Sequence, residues 1–266
     1  MGKFSGWMIV TDLDGTLLRD DKSVSEENLR AIRYFQSEGG LFSFITGRIP
    51  RGAKAVVDVV HPNAPCGHNS GGCLYDHRTG QQLWGRSISA EVAELVDYAV
   101  EQVPSVGVIA CTHSGVYFHK KNAAAERFRR DEGFEDVAGD IRTVQEPLAK
   151  VMFTEADEAT LQRLIALLEK HPLAQKFTFL RTDKAYYEAL PQGVGKGDLL
   201  PRLSKLTGVP VKHIIAVGDN DNDVSMLRAA GLGVAVANAS QAAKAAADRI
   251  TVSNEEHAIA RVIEEW

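Results

Sequence analysis

Residues 7–18 read WMIVTDLDGTLL, and this stretch decides the fold. An apolar run stops abruptly at two carboxylates, Asp12 and Asp14, with Gly15-Thr16 behind them. A short continuous apolar run that ends in a turn signal reads as a strand buried on both faces, the kind parallel sheets use. Two like charges at its end repel unless a cation or a shared proton intervenes. The stretch is therefore either an acidic turn or half of a cation site.

Working outward, the same grammar repeats. SVSEENLRAIRYFQSEGG reads as a helix: Ser23 and Glu26 have capping-box spacing, and Leu29, Ile32 and Phe35 share a face. LFSFITGR is a second apolar strand, ending at Thr46-Gly47-Arg48, and GAKAVVDVV is a short helix. After about residue 190 the alternation returns. GKGDLLPRLSKLTG is a helix with Pro201 confined to its first turn, HIIAVGD a strand, NDVSMLRAAG a helix and LGVAVAN a strand; SQAAKAAAD and NEEHAIARVIEEW are helices. Strand–helix alternation predicts a parallel sheet covered by helices.

Between these halves the pattern changes. NSGGCLYDHRTGQQLWGRSI reads as a hairpin, 89–103 as an amphipathic helix, and VGVIACTHSGVYFHK as two strands around a turn. AKVMFTEA is a strand, Leu161, Leu164, Ile165 and Leu168 mark a helix, and KFTFLRTDKAYYEAL supplies more strand. The expected architecture is α/β: a doubly wound, Rossmann-like parallel-sheet core at 1–80 and 186–266. An α+β cap domain is inserted at 81–185.

The chain has 266 residues, enough for one large or two modest domains. Its net charge of −5, with no Lys/Arg run, argues against nucleic acid as a partner, and local cations must meet any anionic substrate. Three cysteines, Cys66, Cys73 and Cys111, form no C-x-x-C pair, which points to a reduced, cytoplasmic setting, and Cys66 and Cys73 read as small hydrophobes. The N-terminus has no signal-peptide pattern, and no apolar stretch is long enough to span a membrane.

Four features fall at the carboxyl ends of core strands or at the start of a core helix, the edge where open α/β sheets bind ligands. They are Asp12/Asp14, Thr46-Gly47-Arg48, Lys196, and Asp219 within GDNDND. Asp12, Asp14, Asp219 and either Asn222 or Asp223 offer an oxygen-rich set of the kind Mg²⁺ prefers. Lys196 is a point charge suited to phosphate or to carboxylate. Thr46 brings a hydroxyl, Gly47 lets backbone approach an anion, and Arg48 either forks onto phosphate or pairs at the surface.

DLDGT, TGR, the GKG lysine and GDNDND resemble, in order, the four motifs of the haloacid dehalogenase superfamily. The insertion between the second and third motifs resembles the Cof-like, C2-capped type IIB hydrolases, and the resemblance covers the whole chain. It implies an Mg²⁺-dependent phosphatase. Asp12 is then the nucleophile that forms an aspartyl-phosphate. Mg²⁺ is held by Asp12, the backbone carbonyl of Asp14 and Asp219, with Asn222 and Asp223 as orienters or occasional ligands. Lys196 touches both Asp12 and a phosphoryl oxygen, and Thr46 holds another oxygen. Asp14 serves as general acid and then base, a role that asks for a raised pKa and a side chain turned from the metal.

Asn69 stands where the family often has an Asn-Gly pair; here Ser70 intervenes before Gly71, so Asn69 is a substrate contact or a turn residue. His68, His113 and His119 read as structural or exposed. Arg181, Tyr186 and Tyr187 lie near the second hinge and are candidates to read the leaving group. The implied substrate is a small phosphorylated metabolite, a sugar phosphate by preference, because a cap that excludes water also excludes macromolecules. A phosphomutase, a phosphoprotein phosphatase and a non-catalytic metal- or metabolite-binding module are the rival readings.

Overall fold

The structure, a computed structural model, describes residues 2–266. The chain starts with β1 (Met8–Thr11), α1 (Glu26–Ser37), β2 (Leu41–Phe44), α2 (Lys54–Val60), β3 (Cys66–His68), β4 (Cys73–Asp76) and β5 (Gln81–Gly85). It continues with α3 (Val92–Gln102), β6 (Gly107–Thr112), β7 (Val116–Lys120), α4 (Ala123–Asp131), β8 (Leu148–Thr154), α5 (Glu158–Glu169), β9 (Phe177–Asp183) and β10 (Tyr186–Pro191). It closes with α6 (Leu200–Thr207), β11 (Ile214–Gly218), α7 (Val224–Ala229), β12 (Leu232–Ala235), α8 (Gln241–Ala246), β13 (Arg249–Ile250) and α9 (Ala258–Glu264).

Two compact units result: one of Met1–Arg48, Ala53–Trp84 and Gly195–Trp266, the other of Ile49–Gly52 and Gly85–Val194. In the first, among the described residues, five parallel strands run in the order β13-β12-β11-β1-β2. This is the α/β parallel core that the alternation predicts. Met8, Ile9 and Val10 of β1 lie between Phe42 and Phe44 on one side and Ile214–Val217 on the other, all buried, which is why the strand is apolar throughout. The segment β3-β4-β5 forms a small separate sheet.

The second unit is α+β. Its sheet has the order β7-β6-β8-β10-β9 with antiparallel neighbours. Side chains alternate in two-residue steps. Val108, Ala110, Val151, Phe153, Tyr187 and Ala189 pack with the apolar stripe of α3 and the leucine stripe of α5. Ile109, Cys111 and Met152 face the other way, in a cluster with Ala125 and Phe128 of α4.

Local departures from the sequence reading have simple causes. The N-cap of α1 is Ser25, which accepts from Asn28 N at 3.2 Å, whereas the Ser23 hydroxyl donates to Asp21 at 2.6 Å. The capping box expected at Ser23 and Glu26 therefore does not form. Helix α4, strand β3 and the two-residue β13 have no counterpart in the periodicity. For α4 the signal was its cap, Asn122, which accepts from Ala125 N at 2.9 Å. Pro201 sits in the first turn of α6, as expected. Among the described residues no helix is long and apolar enough to cross a membrane. The three cysteines are free and buried, and burial pushes each thiol up to about 12, which leaves them inert packing groups.

Candidate active site

Strand β1 delivers Asp12 to the carboxyl edge of the parallel sheet, where its N–H donates to Val217 O at 2.8 Å. The chain then turns sharply. Gly15 has φ +79°, and a Cβ there would stand 2.5 Å from Asp219 Oδ2, so a side chain at this position would be strained and would displace Asp219. Thr16 donates to Asp219 Oδ1 at 2.7 Å, and Asn238 clamps the turn by donating to Gly15 O at 2.8 Å. The turn after β1 is thus tied to the loops after β11 and β12 at the acidic edge.

Lys196 lies at the head of the turn leading into α6 and is fully buried. Its Nζ is 2.8 Å from Asp12 Oδ1 and 2.6 Å from Asp223 Oδ1. The other oxygen of Asp223 accepts from the backbone N–H groups of Asp219 and Asn220, both at 3.0 Å. Asp223 therefore anchors the lysine and shapes the loop after β11. The backbone around Lys196 is tightly packed: a Cβ on Gly197 would meet Ser225 O at 2.4 Å.

Asp12, Asp219 and Asp223 each place a carboxylate oxygen within 4.8 Å of the others. Three carboxylates face one ammonium. Burial raises the Asp12 pKa well above the usual carboxylate range, and the neighbouring Asp223 and Asp219 charges add to this against the pull of Lys196. Burial, then the Asp223 charge, pushes Asp219 up to about 7. Lys196 is held above its ordinary value: burial disfavours its charge, but Asp12 and Asp223 outweigh that. The Asn222 Oδ1 is buried and has no hydrogen-bond partner. An oxygen-rich cluster short of positive charge, with an unpaired amide oxygen on the same turn, fits a hard divalent cation.

Asp14 stands apart from that cluster. Arg48 grips it with two bonds, Nε to Oδ2 at 2.8 Å and Nη2 to Oδ1 at 2.7 Å, and Lys22 Nζ adds a third at 2.8 Å. Burial raises the Asp14 pKa, but Arg48 and then Lys22 overcome this and take it down to about 2. The raised pKa expected for this residue is absent while Arg48 holds it. For Arg48, neither of the sequence alternatives describes this arrangement, since its partner is a site carboxylate.

Thr46 and Asn69 are buried next to each other through backbone bonds: Thr46 N donates to Gly67 O, Ser70 N to Thr46 O and Asn69 N to Arg48 O, at 3.0–3.1 Å. Gly47 has room for a side chain, with Ser70 Oγ 3.4 Å from a notional Cβ. Sequence reasoning missed Lys22 and Asn238 and assigned Thr16 no contact of its own. Thr16 had a signal in its place behind Gly15; Lys22 and Asn238 had none, because loop folding alone brings them in.

A parallel α/β core gathers its charged side chains at the carboxyl ends of the strands, the edge where such sheets bind ligands. The family described as haloacid dehalogenase-like hydrolase matches residues 9–263, and the chain belongs to it. Over 267 residues the chain is 31% identical to the 5-amino-6-(5-phospho-D-ribitylamino)uracil phosphatase YitU of Bacillus subtilis (strain 168), covering 98% of this chain and 97% of that protein. It is 28% identical to phosphatase YwpJ of the same organism over 288 residues, covering 96% and 98%. In fold it is similar to a haloacid dehalogenase-like hydrolase from Bacteroides thetaiotaomicron, with TM-score 0.86, 24% identity and 99% of each chain covered. The subclass IIB sugar phosphatase BT4131 superposes with TM-score 0.84 at 18% identity, covering 97% and 98%. The protein is an enzyme of the phosphatase type.

Proposed function

We propose that the protein is an Mg²⁺-dependent phosphatase that hydrolyses a small phosphorylated metabolite, a sugar or sugar-derived phosphate ester, through a covalent phosphate on Asp12. The observation that carries this reading is the excess of carboxylates over cations around Lys196. The metal-holding groups in this reading are the carboxylates of Asp12 and Asp219, the backbone carbonyl of Asp14 and the unpaired amide oxygen of Asn222, with Asp223 orienting Lys196 and the loop. The ion, when bound, supplies positive charge against the repulsion between a carboxylate and a phosphate dianion.

In the first step an Asp12 oxygen forms a bond to phosphorus as the ester oxygen leaves with its electron pair and takes a proton. In the second, water attacks phosphorus, inorganic phosphate departs and the Asp12 carboxylate is restored. Lys196 fixes the Asp12 carboxylate and offers a donor to a phosphoryl oxygen; the Thr46 hydroxyl offers another. Asp14 gives the leaving oxygen its proton and later takes one from water. For this it has to be released by Arg48, whose freed fork suits two phosphate oxygens. The unit built on Gly85–Val194 is the cap in this reading.

The substrate class draws on the relatives: YitU is named for a phosphate ester of a ribityl compound, and BT4131 is titled a sugar phosphatase. The test is phosphate release from a panel of phosphorylated metabolites, with Mg²⁺ and with a chelator. Release that needs the metal is expected. No release from any member overturns the reading, and phosphate that migrates within the substrate identifies a mutase.

A further inference from the structure

The segment after β3 braces the loop that carries Thr46 and Arg48. His68 is fully buried; its Nδ1 lies 3.2 Å from the Arg48 carbonyl oxygen and its Nε2 3.0 Å from His77 Nε2. A carbonyl oxygen only accepts, so the first contact is a hydrogen bond only when Nδ1 carries the proton. Neutral His68 then presents a bare Nε2, and His77 Nε2–H donates to it. The tautomers of both rings follow from this one carbonyl. One extra proton can be carried by the pair, but two would set N–H against N–H.

The surroundings hold this arrangement. Phe44 packs edge-on to His68 at 5.5 Å, and Tyr75 lies against both rings at 6.2 and 4.9 Å. Asp76, Asp58 and Lys54 are the charged groups around His77, and Asp76 is itself gripped by Arg78 at 2.8 Å. His68 leads directly into Asn69 and Ser70, whose φ angles of +52° and +55° are uncommon for side-chain-bearing residues. Gly71 follows with φ +102°, and a Cβ on it would stand 2.3 Å from Gly195 O, beside Lys196. One strained turn therefore touches both the Thr46–Arg48 loop and the lysine loop.

We propose that His68, backed by His77, is a positioning residue for phosphate hydrolysis: it fixes the Arg48 carbonyl and so aims the Thr46 hydroxyl and the Arg48 guanidinium. The inference rests on the phosphatase reading above. Three variants and one spectrum test it. His68→Leu removes the side-chain donor and leaves the Arg48 carbonyl with the Asn69 N–H, and kcat/KM for an aryl phosphate should fall roughly tenfold or more, mainly through KM. His68→Asn keeps an N–H where Nδ1–H stood, and should recover to within about threefold of wild type. His77→Phe keeps the packing and removes the backing, so its loss should lie between the two.

Unchanged kcat and KM in His68→Leu, with only a lower Tm, overturn the proposal, and so does His68→Asn that is as impaired as His68→Leu. If His68→Leu does not fold, His68→Asn and His77→Phe decide. Ring ¹⁵N spectra of the wild-type protein at neutral pH should show His68 protonated at Nδ1 and bare at Nε2; the opposite tautomer refutes the brace without any variant. Wild-type protein that releases no phosphate, yet shows this tautomer, breaks the phosphatase reading and leaves the brace standing.

Discussion

Lys196 and Lys150 are both withdrawn from solvent, at 0% and 3% exposure, and each sets its ammonium on a carboxylate. Lys150, on β8 of the second unit, meets Glu188 of β10 at 2.5 Å, and Thr182 donates to the same Glu188 oxygen at 3.3 Å. There the buried ammonium and a buried carboxylate are directly paired. Around Lys196 one cation meets three carboxylates. A buried lysine is therefore not in itself the mark of a reactive site; the mark is an imbalance that folding alone would not tolerate. The cost of gathering Asp12, Asp219 and Asp223 makes sense when the site works with an added cation.

The comparison breaks most sharply in activity. Lys196→Met should lower phosphate release by about two to three orders of magnitude, the scale of losing a charged donor in a water-poor site. Wild-type turnover in that variant would erase the distinction between the two lysines.

Next comes stability in the Lys150–Glu188 pair. Lys150→Met removes the ammonium paired with the buried Glu188 and should cost about 3–5 kcal/mol in urea unfolding. Replacing both, Lys150→Met with Glu188→Leu, should recover most of that loss. A double variant as unstable as the single one would mean that the pair is worth more than its packing.

A smaller effect separates the regions by ligand. Mg²⁺ at 100 times its Kd should stabilise the protein by about 2.7 kcal/mol. Asp219→Asn should remove most of that gain in a thermal melt, and Lys150→Met should keep it.

The same comparison can be sharpened by pH. Asp219, at about 7 when folded against about 4 unfolded, binds protons more tightly in the native state. Its contribution is present below about pH 4 and is lost as pH rises towards 7, and Mg²⁺ should cancel the slope. Asp14, at about 2 when folded, does the reverse. Its contribution is present above about pH 4 and is lost as pH falls towards 2. Arg48→Ala should flatten that acid limb in a series of unfolding midpoints.

The ends of the parallel strands were legible because each is an apolar run that stops at a polar group. Asp12, Thr46 and Asp219 could be placed at one edge although Thr16 and Asp219, which touch, are 203 positions apart. Lys196 was legible through its motif. Contacts that depend on how a loop folds back were not. The Arg48–Asp14 clamp spans 34 positions, and Lys22 reaches Asp14 from a residue with φ +66°. Neither leaves a periodic trace. The Asp14 pKa was misjudged for that reason: the sequence shows the carboxylate but hides its two cations. His68 likewise read as a lone structural histidine until its partner, nine positions on, came into view.

The central claim is that Asp12 is the group that attacks phosphorus. Asp12→Asn keeps the shape of the side chain and removes the nucleophilic oxygen. Phosphate release by this variant should vanish while its circular dichroism and the wild-type melting profile are retained, and the wild-type protein should carry a phosphate on the peptide containing Asp12 after acid quenching during turnover. Release at the wild-type rate from Asp12→Asn would contradict the account.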